Sequence, residues 1–136
     1  MKSEDEIIDN IKLFFEKKGF RVITEVPLLT KRIDIICLKN GINEIIAIEV
    51  KIQNWKRGLQ QASVYRICSD FVYLAIHRDF SHRVDIKLLQ RAGIGLIVVD
   101  EDGVEIIFKI SNQLLTHQGI KNNIISYCGG DYFASI

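Results

Sequence analysis

The sequence predicts an α/β protein built on a mixed sheet that is flanked by helices. Apolar residues recur at helical spacing near the N-terminus, and several apolar runs of strand length follow. The predicted elements come in the order helix, three strands, helix, strand, helix and two strands, which is typical of such a sheet. The 136 residues correspond in length to a single domain.

The first predicted element is a helix that begins after Ser3 and runs to about Lys18. Ser3 and Glu6 form a capping-box pattern, in which each side chain reaches the backbone amide of the other residue. Gly19 is expected to end the helix. The predicted buried stripe consists of Ile7, Ile8, Ile11, Phe14 and Phe15.

Three strands are predicted after the first helix. The first covers Phe20 to Val26, and Pro27 is expected to end its regular pairing because proline has no amide hydrogen to donate. The next two are the isoleucine-rich runs 32–38 and 45–51. The Asn40-Gly41 pair between these runs favours a tight turn, so they are expected to form a hairpin.

The second half of the chain continues the alternation of helices and strands. A helix capped by Asn54 is predicted from Trp55 to about Ser69, and a strand follows from Phe71 to His77. Ser81 is expected to cap a helix that reaches Ala92, with Leu88 and Leu89 inward. Two further strands are predicted, from Ile94 to Val99 and from Val104 to Ile110. A short helix is expected after Ser111, whereas residues 120–136 are compatible with helix, strand or tail. We predict one domain over residues 1–110 and an extension over 111–136 that packs on it.

Composition and charge narrow the class of protein. Apolar residues make up 48% and charged residues 26% of the chain, and the apolar runs are too short to cross a bilayer. The three cysteines lack paired spacing and the N-terminus lacks the order of a secretory signal, so a cytoplasmic protein is predicted. Residues 31–91 hold eleven Lys or Arg and six Asp or Glu. This excess fits a polyanionic partner, although uneven scatter would also produce it.

Three charged residues interrupt the apolar strands of the predicted hairpin. A charge buried in a strand is costly unless it is paired, hydrated or bound to a metal. Glu49 and Lys51 are two residues apart and therefore share one face of the sheet. Asp34 joins them if the register sets it opposite Glu49 or opposite Ala47, whereas a slip of one residue would turn it to the other face.

Paired carboxylates on neighbouring strands repel each other unless a cation lies between them. Hard oxygen ligands with open water positions suit Mg²⁺, and Mn²⁺ is expected to replace it. Such an ion can lower the pKa of a bound water and stabilise charge on a phosphoryl oxygen. Lys51 can orient the attacking water, help to deprotonate it, or stabilise the pentavalent state. The chemistry that follows is phosphodiester hydrolysis.

The helix after Lys51 is expected to bring further polar groups toward the carboxylates. Gln61 and Tyr65 are four residues apart and share a helical face. Gln61 can bond Lys51 or the substrate, and Tyr65 can contact a base or a sugar. Lys56 and Arg57 lie at the positive end of the helix, where they favour a phosphate.

Two more residues are predicted to contact nucleic acid. Trp55, at the start of the same helix, could stack on a base, although packing against the sheet is the alternative. Arg32 lies close to Asp34 in the same predicted strand and is assigned to the same surface.

Asp34, then Glu49-Val50-Lys51, then Gln61-x-x-x-Tyr65 together resemble the PD-(D/E)xK nuclease superfamily, the restriction-endonuclease-like fold. The resemblance covers about residues 1–99, and the Gln-x-x-x-Tyr element is similar to that of the exonuclease-type subgroup. It departs from the family at one position, where Ile33 replaces the expected proline. The resemblance implies an αβββαβ core, here with an additional helix and a C-terminal hairpin.

The resemblance also implies roles for individual residues. Asp34 and Glu49 would bind the metal, the backbone carbonyl of Val50 would add a ligand, and Lys51 would be the catalytic lysine. An acid on the first helix often completes such a site. Glu4 is the first choice for that acid because it shares the face of the buried stripe, and Glu6 is the second.

The predicted function is that of a Mg²⁺-dependent deoxyribonuclease directed by DNA structure or DNA ends rather than by sequence. A homodimer is expected, with its contact formed by the apolar strand from Ile94 or by the C-terminal segment, and neither a membrane nor an organic cofactor is expected. The alternative is a catalytically silent nucleic-acid-binding or assembly module of the same fold. A third possibility is an interaction domain in which the charges form a structural ion cluster.

Overall fold

The computed structural model describes residues 3–39, 41–111 and 116–129. Six strands form one sheet whose spatial order follows the chain order. Neighbouring strands are antiparallel except for β3–β4 and β4–β5, which are parallel. The strands are β1 (Arg21–Leu28), β2 (Lys31–Lys39), β3 (Ile42–Lys51), β4 (Phe71–His77), β5 (Gly95–Asp100) and β6 (Gly103–Phe108).

Four α-helices are described: α1 (Glu4–Lys17), α2 (Trp55–Val64), α3 (Ile86–Ala92) and α4 (Gln118–Tyr127). Two 3₁₀ segments cover Tyr65–Ile67 and Arg78–Arg83. The order α1, β1, β2, β3, α2, β4 is the predicted αβββαβ core, and β5 with β6 forms the predicted hairpin. The predicted fold class, a mixed sheet flanked by helices, is confirmed.

The sheet separates two apolar cores because alternate residues of each strand point to opposite faces. On one face, α1 buries the predicted stripe residues Ile7, Ile11 and Phe15 against Ile48 and other strand residues. On the other face, α2, α3 and α4 contribute buried residues, which include Ala62, Leu89 and Ile124. A side chain of β2 or β3 therefore faces either α1 or α2, depending on its parity.

Two of the predicted caps are present and fix the helices next to the strands. The Ser3 hydroxyl accepts the backbone N–H of Glu6 at 3.2 Å, and the Asn54 side chain accepts that of Arg57 at 3.3 Å. Gly19 follows α1 with φ of +90°, a conformation that favours glycine. The Asn54 cap thereby sets the start of α2 four residues after the end of β3.

The structure corrects the expectation that Pro27 ends the pairing of the first strand. Pro27 lies inside β1 and pairs with Arg32, and Leu28 pairs with Lys31. Because β1 is an edge strand, the missing amide hydrogen of proline does not break a ladder on its outer side. The hairpin between β1 and β2 therefore closes through two residues, Leu29 and Thr30.

The third helix is shorter than predicted. Ser81 lies in a 3₁₀ segment and donates its hydroxyl hydrogen to the carbonyl of Arg78, while Asp85 caps α3 by accepting the backbone N–H of Leu88 at 3.1 Å. With only seven residues in the helix, Leu89 is buried and Leu88 is largely exposed. The expectation that Leu88 points inward was wrong.

The C-terminal extension contributes α4, whereas residues 112–115, where the short helix after Ser111 was expected to begin, lie outside the described residues. The buried ammonium of Lys121 lies 2.9 Å from Oδ2 of Asp70 and donates to the carbonyl of Asn43 at 2.8 Å. This buried pair fixes α4 to the starts of β3 and β4. The division into residues 1–110 and 111–136 stays a prediction.

The structure also bears on the expected dimer contact. The strand after Ile94 is β5, which lies between β4 and β6 and is almost fully buried. Its backbone and side chains are therefore used within the sheet, and it cannot form the contact between two copies. The homodimer itself stays a prediction.

Candidate active site

The register of the β2–β3 hairpin decides where Asp34 lies. Ile35 pairs with Ile48 and Ile36 pairs with Ala47, so the next residues outward in this register are Asp34 and Glu49. This is the first of the two registers that the sequence left open. Oδ2 of Asp34 accepts the backbone N–H of Val50 at 2.8 Å, which holds the carboxylate beside β3.

A cavity of about 350 Å³ collects the predicted polar residues on the α2 face of the sheet. Asp34, Glu49 and Lys51 enter it from the strands because all three have the parity that faces α2. Gln61 and Tyr65 enter it from the helix and the 3₁₀ turn that follows. The complete lining is Lys31, Arg32, Asp34, Glu49, Lys51, Arg57, Gln61 and Tyr65.

Glu49 is the most buried charged group of this cavity, with 3% of its surface exposed. Burial raises the pKa of its carboxyl to about 7, and the nearby carboxylate of Asp34 adds to this rise. The hydroxyl of Tyr65 and the ammonium of Lys51 act in the opposite direction. Lys51 Nζ lies 3.5 Å from Oε2 of Glu49.

Tyr65 reaches the carboxylate from the turn that continues α2. Its hydroxyl donates to Oε1 of Glu49 and also lies 3.2 Å from the carbonyl oxygen of Arg32. The ring is almost fully buried, so burial raises the pKa of the phenol and keeps it a donor. Tyr65 therefore contacts the site carboxylate itself, rather than serving only as an outer contact for a base or sugar.

Gln61 lies one helical turn before Tyr65 in the same cavity. Its Oε1 is buried and has no hydrogen-bond partner. An amide oxygen buried without a partner costs free energy, so it is a position where a bound group is expected to donate. Gln61 is thus placed as predicted, beside the carboxylates and Lys51.

Basic side chains surround the mouth of the cavity. Arg32 and Arg57 line it as predicted, and the sequence interpretation missed Lys31. Lys31 is the first residue of β2 and follows the two-residue turn directly. The shortness of that turn could have indicated that Lys31 lies in the strand near the cavity. With Lys51, these residues give four cations against two carboxylates.

Three of the side chains that were predicted to act at the site do not line the cavity. Glu4 begins α1, which packs on the opposite face of the sheet, and its side chain is exposed. Trp55 is half-buried and packs against the core. This packing is the alternative to base stacking that the sequence analysis gave for Trp55. Lys56 is exposed with its Nζ 5.9 Å from the centre of the Trp55 ring. Glu4 is therefore not brought to the carboxylates.

Gly58 is a site residue that the sequence interpretation missed. A Cβ at this position would lie 2.5 Å from Cδ1 of Leu74 and 2.9 Å from Cγ of Lys51. Only glycine lets α2 approach the strands this closely, and the approach fixes the stem of Lys51. Glycine in a helix interior costs about 1 kcal/mol relative to alanine, so its presence there could have indicated a close approach to a neighbouring element.

The acidic side chains of the cleft are the groups that could bind a divalent metal ion. Within residues 3–39, 41–111 and 116–129, no three or more His, Cys, Asp or Glu side chains are grouped so that they could hold a metal ion together. The site instead offers two carboxylates: burial raises the pKa of Glu49, and repulsion from the nearby carboxylate of Asp34 adds to this rise. This repulsion is what a hard cation with several bound waters would relieve, so Asp34 and Glu49 fit Mg²⁺ or Mn²⁺. The Val50 carbonyl as a third ligand stays a prediction.

The fold and the cavity define a small mixed α/β domain with a carboxylate–lysine cleft between its second and third strands and the helix that follows. The chain belongs to the MmcB-like family, since the family model described as DNA repair protein MmcB-like matches residues 2–128. This match includes every residue that lines the cleft.

One solved structure shows a similar fold, and two others superpose less closely. The SPO1766 protein of unknown function from Silicibacter pomeroyi superposes with a TM-score of 0.73 at 19% identity, over 99% of this chain and 86% of that one. A repair endonuclease from Pyrococcus abyssi gives 0.49 at 16% identity, over 74% and 48% of the two chains. SfsA from Pyrococcus furiosus, solved in complex with Ca²⁺, gives 0.41 at 13% identity over 77% and 60%. The first likeness shows the fold alone.

A search of curated proteins found no significant match to the sequence. Across the part of the chain that the structure describes, no helix combines the length and apolar character needed to span a membrane.

Proposed function

We propose that this protein is a metal-dependent nuclease that hydrolyses phosphodiester bonds in DNA, with Mg²⁺ as its metal and Mn²⁺ able to replace it. The observation that carries the proposal is the meeting of Asp34, Glu49 and Lys51 in one cleft beside Tyr65 and Gln61. Membership in a family described as DNA repair proteins supports DNA as the substrate.

Asp34 and Glu49 are the residues that would hold the metal. When bound, a divalent ion supplies a water of lowered pKa and stabilises negative charge on the phosphoryl oxygen. The Val50 amide holds one oxygen of Asp34, and the Tyr65 hydroxyl holds one oxygen of Glu49. Both carboxylates are thus oriented before any ligand arrives, which lowers the cost of ordering the site.

Lys51 is proposed to act on the reacting groups. Its ammonium lies at the cavity beside Glu49, with its stem held between the sheet and Gly58. In this position it can donate to the attacking water or to a phosphoryl oxygen as charge develops there. The Gln61 oxygen, which has no partner, can accept a hydrogen bond from the attacking water.

The basic rim supports recognition of the DNA backbone. Lys31, Arg32 and Arg57 surround the cleft and can each contact a phosphate. Phosphate contacts position DNA without reading its sequence, so structure-directed or end-directed cleavage follows better from this surface than site-specific cleavage. Lys56 and Trp55 lie outside the cleft and can contact only DNA that extends past the start of α2.

The test is a cleavage panel of plasmid, linear, single-stranded and branched DNA with Mg²⁺, Mn²⁺ or EDTA. Wild-type protein is expected to cut at least one substrate with either metal, and Lys51→Ala is expected to lose at least a hundredfold in rate. Gln60→Ala, an exposed residue of the same helix, is the matched control and should cut like wild type.

The same panel distinguishes the nuclease from the alternative function, a catalytically silent nucleic-acid-binding module. Tight binding of DNA without cleavage, unchanged by Lys51→Ala, would identify a silent nucleic-acid-binding module. The absence of both binding and cleavage would overturn the proposal as a whole. Cleavage that persists in Lys51→Ala would keep the nuclease and remove the role given to that lysine.

A further inference from the structure

Leu29 lies at the tip of the β1–β2 hairpin, and 72% of its surface is exposed. It is the first of the two residues that join Leu28 to Lys31, which pair with each other. Its φ is +56°, and Glu25 is the only other non-glycine residue with positive φ within residues 3–39, 41–111 and 116–129. A large apolar side chain thus lies in solvent on a backbone conformation that disfavours it.

Folding does not require leucine at this position. Two-residue hairpin turns with positive φ at the first central residue prefer glycine or asparagine, because the Cβ of a larger residue crowds the backbone there. An exposed leucine also gains no burial from the core. Both effects disfavour leucine in the free protein, so a benefit is expected when the tip meets a partner.

The position of the tip relative to the cleft indicates what that partner is. Lys31 and Arg32, which follow Leu29 in the chain, line the cleft that also contains Asp34. A residue spans at most about 3.6 Å along the chain, so Leu29 lies within about 18 Å of Asp34. This distance corresponds to about five base steps of duplex DNA at 3.4 Å each. A partner held by these cations would therefore also meet the leucine.

We propose that Leu29 is a wedge that inserts between bases of a DNA duplex within about five base steps of the phosphodiester bound in the cleft. Apolar side chains of this kind unstack base steps and kink the duplex in proteins that bend DNA. The preferred substrate is then a duplex with a step that opens at low cost, such as a mismatch, a nick or a junction. This inference rests on the proposed binding of DNA, but it does not require that cleavage occurs.

The experiment measures unstacking directly. Duplexes carry 2-aminopurine, whose fluorescence rises when it is unstacked, in either a fully paired context or beside a mismatch or nick. Wild-type protein in EDTA at low salt is expected to raise the fluorescence at least twofold on the mismatched duplex. Leu29→Asn is expected to abolish the rise and to weaken binding of the mismatched duplex about tenfold, with a smaller effect on the paired one.

Three further variants make the test specific. Leu29→Met keeps an apolar side chain and should retain the fluorescence rise. Leu29→Gly should lose it, like Leu29→Asn, and both should melt at or above the wild-type temperature because they suit positive φ. Leu13→Gln removes another exposed leucine, 55% exposed on α1, and should leave the signal unchanged.

The outcomes distinguish this inference from the proposed function. Wild-type protein that binds or cuts DNA without any fluorescence rise would overturn the wedge and leave the nuclease. A rise that persists in Leu29→Asn would do the same, and so would equal losses on paired and mismatched duplexes. Failure of wild-type protein to bind any of the duplexes in EDTA would overturn the wedge, whereas the cleavage panel with Mg²⁺ decides the nuclease separately.

Discussion

The hydroxyl of Tyr65 donates a hydrogen bond to the carboxylate of Glu49, which lies sixteen residues earlier in the chain. Both side chains are almost fully buried, and the pair joins the end of β3 to the turn after α2. Glu49 carries a pKa of about 7 because its burial outweighs the help from Tyr65 and Lys51. The free protein thus holds, at the centre of its cleft, a buried carboxylate whose ionised form is disfavoured.

Tyr65→Phe removes the hydrogen bond and keeps the ring in place. The free energy of unfolding is expected to fall by about 1–2 kcal/mol, because the Glu49 oxygen loses a buried donor. Since Tyr65 lowers the pKa of Glu49, its loss should raise that pKa further. Urea unfolding checks the first effect, with Tyr127→Phe as the control because Tyr127 is 58% exposed and should change little. Equal stability of the two variants would show that the bond does not stabilise the fold.

The raised pKa of Glu49 predicts how stability depends on pH without metal. Between pH 5 and 7 the folded state holds a proton that the unfolded state has lost, since the pKa rises from 4.5 to about 7 on folding. The free energy of unfolding must therefore fall as the pH rises through this range and level off above it. The total decrease is expected to be on the order of 3 kcal/mol.

Glu49→Gln isolates this contribution from that of the other titratable groups of the protein. The glutamine oxygen can still accept from Tyr65, so the variant should fold and should lack the decrease assigned to Glu49. Urea unfolding in EDTA at a series of pH values gives the comparison. Parallel pH profiles for wild type and Glu49→Gln would contradict a raised pKa at this residue.

Asp34→Asn tests whether the paired carboxylates form a metal site. An asparagine oxygen can still accept the Val50 amide, while the repulsion with Glu49 disappears. In EDTA the variant should be as stable as wild type or more stable by about 1 kcal/mol. In millimolar Mg²⁺ wild type should melt at a higher temperature, as expected for a bound ligand, and the variant should not. Thermal melts in the two buffers measure both effects.

Asp70→Asn is the matched comparison for that experiment, because Asp70 is also a buried acid but is paired with Lys121. Removing its charge leaves a buried ammonium without its partner, which should cost about 3 kcal/mol with or without Mg²⁺. If Asp34→Asn were destabilised as strongly in EDTA, Asp34 would belong to a structural ion cluster. That result would contradict the proposed metal site.

Gly58→Ala tests the close approach of α2 to Lys51. Alanine has the higher helix propensity, by about 1 kcal/mol, and would stabilise an exposed helix. Here its Cβ would collide with Leu74 and Lys51, so a net loss of about 1–2 kcal/mol is expected. The cleavage rate should fall more than tenfold because the lysine stem moves. Unfolding and cleavage assays measure the two losses, and a stabilised, fully active variant would refute the contact.

Much of the core and its elements follows from the sequence because the responsible forces are local. Helical and strand periodicity, the caps at Ser3 and Asn54, and the glycine after α1 each act over a few residues. The bounds of β4, Phe71–His77, coincide with the predicted ones. The association of Glu49 with Lys51 was also available, because alternation along a strand fixes the face on which each residue lies.

Tertiary structure decided what depends on residues far apart in the chain. The register placed Asp34 opposite Glu49, and only contacts across the hairpin distinguish that register from its alternative. The packing of α1 on the other face kept Glu4 from the cleft, and the edge position of β1 made Pro27 acceptable within a strand. Likewise, the pairing of Lys121 with Asp70 leaves no local signal, and the glycine within α2 does not indicate that its neighbour is Lys51. Local sequence thus determined which elements form and which side chains share a strand face, whereas long-range packing determined which of them meet.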